Sequence, residues 1–153
     1  MGIAGLGAGV DFILKEGIGR IRSHEKELTS YMLRALRDIP GLIVYGPLDA
    51  QRQTATLSVK FDSILPIERD DNLRGCGSIN LEWMDEGISQ EEAGAILNSE
   101  HDILVRVGLH CAPLAHKTLG TFPEGTVRLS MGYFNTLDQV EFVAGVLKQI
   151  AER

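Results

Sequence analysis

Cysteine is scarce in this chain of 153 residues: there are two, Cys76 and Cys111. That is too few for a disulfide framework, and a lone pair with no secretory signal is expected to stay reduced. Positive charge is in the minority, with 15 Lys and Arg against 21 Asp and Glu and a net charge of -6. No Lys/Arg cluster breaks that background, which argues against a nucleic-acid partner. Long hydrophobic runs are also missing. The apolar start, "GIAGLGAGVDFIL", is interrupted by Asp11. It has no basic region before it and no small-residue cleavage site, so it reads neither as a secretory signal nor as a membrane span. The expected location is the cytoplasm, with no membrane partner. What remains, 44% hydrophobic and 24% charged residues, is the composition of one globular domain with a real core.

From Gly5 to Ile39 the pattern is helical. Ile21, Leu28, Met32 and Leu36 recur at seven-and-four spacing, Gly17 marks a bend and Pro40-Gly41 a stop. The first part of this helix is apolar on more than one side and needs cover on both faces. "LIVYG" reads as a short strand. "TATLSVKF" alternates through Ala55, Leu57, Val59 and Phe61 as a half-buried strand should. "DSILPIERDDNLRGCGS" has the composition of an exposed excursion, and "SINLEWM" alternates again. Ser89 and Glu92 form a capping box opening the helix "QEEAGAILNSE". "DILVRVG" and "TVRLSM" are two further strands, and a closing helix begins at the capping box Thr136/Gln139. The expected architecture is α/β: about five short strands in one mixed or antiparallel sheet, with helices packed on it and a long N-terminal helix. Residues 1–40 form the leading helix and residues 41–153 the small α/β domain.

Chemistry concentrates in "VRVGLHCAPLAHKTLG". Glycine before Cys111 and proline after it suit a turn at the end of a strand, where side chains are presented. An ordinary free cysteine is a small buried hydrophobe. Arg106, His110, His116 and Lys117 could instead supply the electropositive, partly exposed setting of a reactive thiol. A metal site of His110, Cys111 and His116 lacks a fourth ligand, and adjacent His-Cys closes a tetrahedron poorly. A protease-like pair needs a third, orienting group, and only His24 and His101 remain elsewhere.

The run "RVGLHCAPLAHKTLGTFPEGTVRLSMGYFNTLDQV" resembles the carboxy-terminal part of pyridoxal-phosphate-dependent cysteine desulfurases of the class V aminotransferase superfamily. It is similar in particular to the group with a short R-x-G-x-H-C-A loop. "GIAGLGAGVDFILKEGIGRIRSHEKELTSYMLRAL" is similar to the helix that follows the catalytic core in that family. The resemblance implies the small C-terminal domain of the fold type I architecture. It implies that Cys111 is the catalytic cysteine, taking sulfur from a cofactor-bound substrate cysteine as a persulfide and leaving alanine. Arg128 is similar to the arginine that pairs with the substrate carboxylate, a role a planar guanidinium suits. Arg106 and His110 match motif positions as further substrate-binding residues, favouring the thiolate, shaping the pocket or simply holding the loop.

The pair His116-Lys117 is similar to a cofactor-lysine motif, but neither a phosphate cradle nor a carboxylate for the pyridine nitrogen lies nearby in sequence. By the resemblance, the cofactor lysine, the ring-stacking histidine and the pyridine-nitrogen aspartate belong to a preceding large domain. Pyridoxal phosphate is therefore expected in the complete enzyme and not on this chain, which is expected to be inactive alone. No cofactor-binding or metal-ligating residue is assigned. The partners implied are L-cysteine in the complete enzyme, a sulfur-acceptor protein, and a second copy of the chain through the apolar leading helix. The alternative is a self-standing sulfur-relay or partner-binding module that keeps the reactive cysteine. The family pattern is interrupted in "KFDSILPIERDDNLRGCGSINLEWMDEG", which leaves the strand register of residues 54–84 open and gives Cys76 no counterpart.

Overall fold

The computed structural model describes residues 2–62 and 87–153. The chain opens with α1 (Gly2–Glu16) and α2 (Ile18–Leu36), followed by β1 (Leu42–Tyr45) and β2 (Thr56–Phe61). Then come α3 (Gln90–His101), β3 (Arg106–Gly108), α4 (Pro113–Leu119), β4 (Thr126–Ser130) and α5 (Leu137–Ala151). The sheet is antiparallel throughout, in the order β1-β2-β4-β3.

Alternation along the strands gives the sheet two unlike faces. Leu57, Val59 and Phe61 of β2 and Val127 and Leu129 of β4 face the core. There they meet Leu28, Met32 and Leu36 of α2, Leu97 of α3, and Val140, Leu147 and Ile150 of α5. The register sets Tyr45 opposite Ser58, Ser58 opposite Arg128, and Arg128 opposite Arg106. One polar row therefore crosses all four strands on the other face. Among the described residues no layer of long helices covers that face, and the candidate residues Arg128 and Arg106 stand on it.

Local chemistry explains the helix ends. Thr136 accepts a hydrogen bond from the Gln139 backbone while the Gln139 side chain accepts from the Thr136 backbone, so the capping box is reciprocal. At α3, Ser89 Oγ accepts from the Glu92 backbone N–H at 3.1 Å, which is the cap half of the expected box. Gln90, the next residue, is buried: its amide accepts from the Phe61 N–H at 3.0 Å and donates to the Phe61 carbonyl at 2.8 Å. A side chain thus completes the ladder where β2 runs past β4.

Three expectations change. The leading helix is not one bent rod but two helices parted at Gly17, whose φ of 82° and ψ of 127° interrupt the helical path. α1 buries none of its residues; Ile3, Leu6 and Leu14 are exposed. Its end is held by the 2.8 Å hydrogen bond from the Tyr133 hydroxyl to Glu16 and by Phe12 packed on Tyr133 and Phe134. Of "DILVRVG", only Arg106–Gly108 pairs with the sheet. Asp102 takes a left-handed φ of 54° to end α3, and Ile103 then donates back to the Leu97 carbonyl at 2.8 Å, so this stretch closes the helix instead of extending the strand. The segment after Cys111, to which the sequence pattern gave no element, begins a helix at Pro113, where a missing N–H costs nothing. The described residues hold four strands. "SINLEWM" and Cys76 lie outside them, as does most of the stretch whose register the sequence left open.

Candidate active site

β3 ends at Gly108, and the chain turns back at once: the Ala112 N–H donates to the Leu109 carbonyl at 2.8 Å. The two central residues of that turn, His110 and Cys111, have φ of 49° and 63°. Such turns normally select Gly, Asn or Asp, and each ordinary L-residue there costs about 1–2 kcal/mol. Cys111 is exposed at its tip.

His110 anchors the turn. Its Nε2 lies 3.1 Å from the Thr126 carbonyl oxygen; a carbonyl only accepts, so Nε2 carries the hydrogen and the neutral ring leaves Nδ1 bare. Nδ1 is buried without a hydrogen-bond partner among the described residues. Burial, and then the Arg128 guanidinium, push the His110 pKa down. A folded pKa below the unfolded one means that the unfolded chain binds more protons across that interval, so this contribution to stability is present above the ordinary imidazole pKa and lost as pH falls through it. We expect an NMR titration to find His110 protonating below an exposed histidine. Denaturant unfolding should show the wild type losing more stability than His110→Gln between neutral and mildly acidic pH.

Beside this turn an open cleft of about 480 Å³ lies on the polar face of the sheet. His110 and Thr126 line it from one side, Arg128, Ser58 and Tyr45 come up from the strands, and α4 contributes Ala112, its cap, together with Ala115, His116 and Leu119. Arg128 is half-buried, and neither it nor Arg106 forms an ion pair among the described residues. His116 is buried with Nδ1 2.6 Å from the Thr121 hydroxyl, and its ring centroid lies 5.9 Å from that of His110. Burial also raises the Tyr45 pKa and keeps the phenol protonated. Of the residues singled out from sequence, His110 and Arg128 meet in the cleft. Cys111 stands on the turn between two residues that line it, while exposed Arg106 lies in the neighbouring strand position and does not line it. Tyr45 and Ser58 carried no sequence signal beyond their place on the polar side of a strand.

Among the described residues no group of three or more His, Cys, Asp or Glu side chains is placed to hold a metal ion. Lys117 is exposed on α4, with Nζ 5.0 Å above the Phe122 ring. No carboxylate that could hold a pyridine nitrogen pairs with it among the described residues. These surroundings do not fit pyridoxal phosphate. No helix among the described residues is long and apolar enough to cross a membrane.

The described helices and the four-stranded antiparallel sheet match a portion of cysteine desulfurase structures. The apo cysteine desulfurase of Thermococcus onnurineus superposes with a TM-score of 0.73 at 29% identity, over 97% of this chain and 30% of that one. The chain belongs to the class V aminotransferase family, whose model matches residues 1–143. A probable cysteine desulfurase of Methanothermobacter thermautotrophicus is 31% identical over 151 residues, which is 98% of this chain and 31% of the relative. A cysteine desulfurase of Synechococcus elongatus is 32% identical over 146 residues, covering 95% of this chain and 19% of the relative. The chain thus spans less than a third of the length of these relatives and corresponds to their carboxy-terminal part. The family uses pyridoxal phosphate.

Proposed function

We propose that this chain supplies the small-domain side of a cysteine desulfurase active site, in which Cys111 accepts sulfur from L-cysteine and Arg128 holds the substrate carboxylate. The observation that carries this reading is a single strand pair: β3 runs directly into the turn that exposes Cys111, while β4 beside it raises a half-buried arginine into the cleft. The Cys111 sulfur attacks the sulfur of the substrate. An S–S bond forms as the C–S bond breaks, and the electron pair of the broken bond stays with the carbon, which takes a proton and becomes alanine. The persulfide on Cys111 then awaits a sulfur acceptor. Arg106 and His110 are the supporting residues, Arg106 as a positive charge beside Arg128 but outside the cleft and His110 as the anchor that keeps the turn in place. The cofactor chemistry belongs to residues outside this chain.

Incubated with L-cysteine and pyridoxal phosphate, the chain alone is expected to release no alanine. Exchanged for the matching segment of the Thermococcus onnurineus enzyme, it is expected to support alanine release, and Cys111→Ser in that fusion should lower the rate by about 100-fold or more. An undiminished rate in the Cys111→Ser fusion would overturn the nucleophile assignment. Cys111-dependent alanine from the isolated chain would overturn its inactivity. Loading of Cys111 in the isolated chain by a small-molecule persulfide, with an inactive fusion, would point to the relay alternative.

A further inference from the structure

We propose that Ser58 is a second carboxylate-binding residue of the cleft, donating its hydroxyl hydrogen to the same carboxylate that Arg128 grips, with Tyr45 closing the far end as a specificity determinant. This rests on the reading of Arg128 given above and extends it to residues that the cysteine motif does not contain.

The register carries the inference. Ser58 is the direct partner of Arg128 in the β2–β4 ladder, and Tyr45 is the direct partner of Ser58 in the β1–β2 ladder. Directly opposed residues point to the same face with Cβ atoms about 4.5–5.5 Å apart. All three line the cleft, whereas Arg106, the partner of Arg128 on its other side, does not. The cleft therefore opens on the β1 side of Arg128, and an anion held there by the guanidinium sits over Ser58.

The chemistry agrees with that placement. Ser58 is half-buried, and its hydroxyl makes no hydrogen bond among the described residues. A hydroxyl beside an arginine, neither with an acceptor among the described residues, is a donor set that lacks its acceptor. Ala112, Ala115 and Leu119 add apolar lining to the same cleft, fit for a short aliphatic body. The ligand class is a small amino acid or another short organic carboxylate, its length limited by the Tyr45 ring.

The test uses the full 153-residue chain, isotope-labelled and titrated by NMR with L-alanine, with L-alaninamide as the probe that lacks a carboxylate. Saturable shifts at Ser58 and Arg128 are expected with the first and not with the second. Ser58→Ala should raise the dissociation constant about 5-fold to 10-fold, Ser58→Thr should restore it, and Ser58→Asp and Arg128→Gln should each abolish binding. Thermal melts of each variant check that it folds. If Arg128→Gln abolishes binding while Ser58→Ala and Ser58→Asp leave it unchanged, the Ser58 inference is overturned and the Arg128 reading stands. If Arg128→Gln has no effect, both fall. Equal shifts with L-alaninamide, or no saturable shift in the wild type, would also overturn the inference.

Discussion

Replacing Gly125 by alanine is expected to destabilise the chain by about 2–4 kcal/mol and to disturb the cysteine turn from a distance. Gly125 has a φ of 82°, where any side chain is strained, and a Cβ there would overlap the carbonyl carbon and oxygen of Gly108. That second contact is backbone, so no rotamer change relieves it. Gly108, at a φ of 103°, is the last residue of β3 and stands two positions before His110. Pushing it away moves the strand end on which Cys111 depends. The melting temperature should fall by roughly 5–15 °C, and the alkylation rate of Cys111 should change with it. A loss below about 1 kcal/mol with an unchanged alkylation rate would mean that the two backbones separate freely, contrary to this packing.

Gln90→Leu is expected to cost a comparable amount, about 2–5 kcal/mol, for a different reason. The leucine has similar volume, so the packing loss is small. The change instead leaves the N–H and carbonyl of Phe61, a residue 3% exposed, without partners. Gln90→Glu separates the two halves of the interaction: a carboxylate accepts from the Phe61 N–H but has no hydrogen to give the carbonyl. That variant should be held back at neutral pH and recover as pH falls far enough to protonate the new side chain, which denaturant unfolding at two pH values reads directly. A Gln90→Leu chain as stable as the wild type would show that water reaches Phe61.

The strands that alternate were legible from sequence because a half-buried strand writes its period into the chain: Leu57, Val59 and Phe61, and again Val127, Leu129 and Met131. The Thr136/Gln139 box was legible because capping is local chemistry. What escaped was set by geometry that neighbours in sequence do not record. α4 is a seven-residue helix, too short for its periodicity to stand out, and the pairing of β3 was cut short by a left-handed residue at the end of α3. Within the site, the cysteine motif announced itself because its unusual residues are consecutive. Ser58 and Tyr45 did not, being ordinary polar positions until the register lays them beside Arg128, far along the chain. Left-handed φ at His110 and Cys111 was equally silent, since histidine adopts it only somewhat more often than other side chains and cysteine has no such bias.

The pairing of Arg106 with Arg128 across β3 and β4 has a thermodynamic consequence. Like charges directly opposite one another in an antiparallel ladder repel, and no acid among the described residues offsets them. The native state therefore carries a tension that the unfolded chain, with its arginines apart, does not share. A carboxylate seated in the cleft, as proposed above, would relieve part of that tension, and binding to the folded form alone raises the unfolding free energy with ligand concentration. Occupancy and stability at this face are thus two readings of one equilibrium.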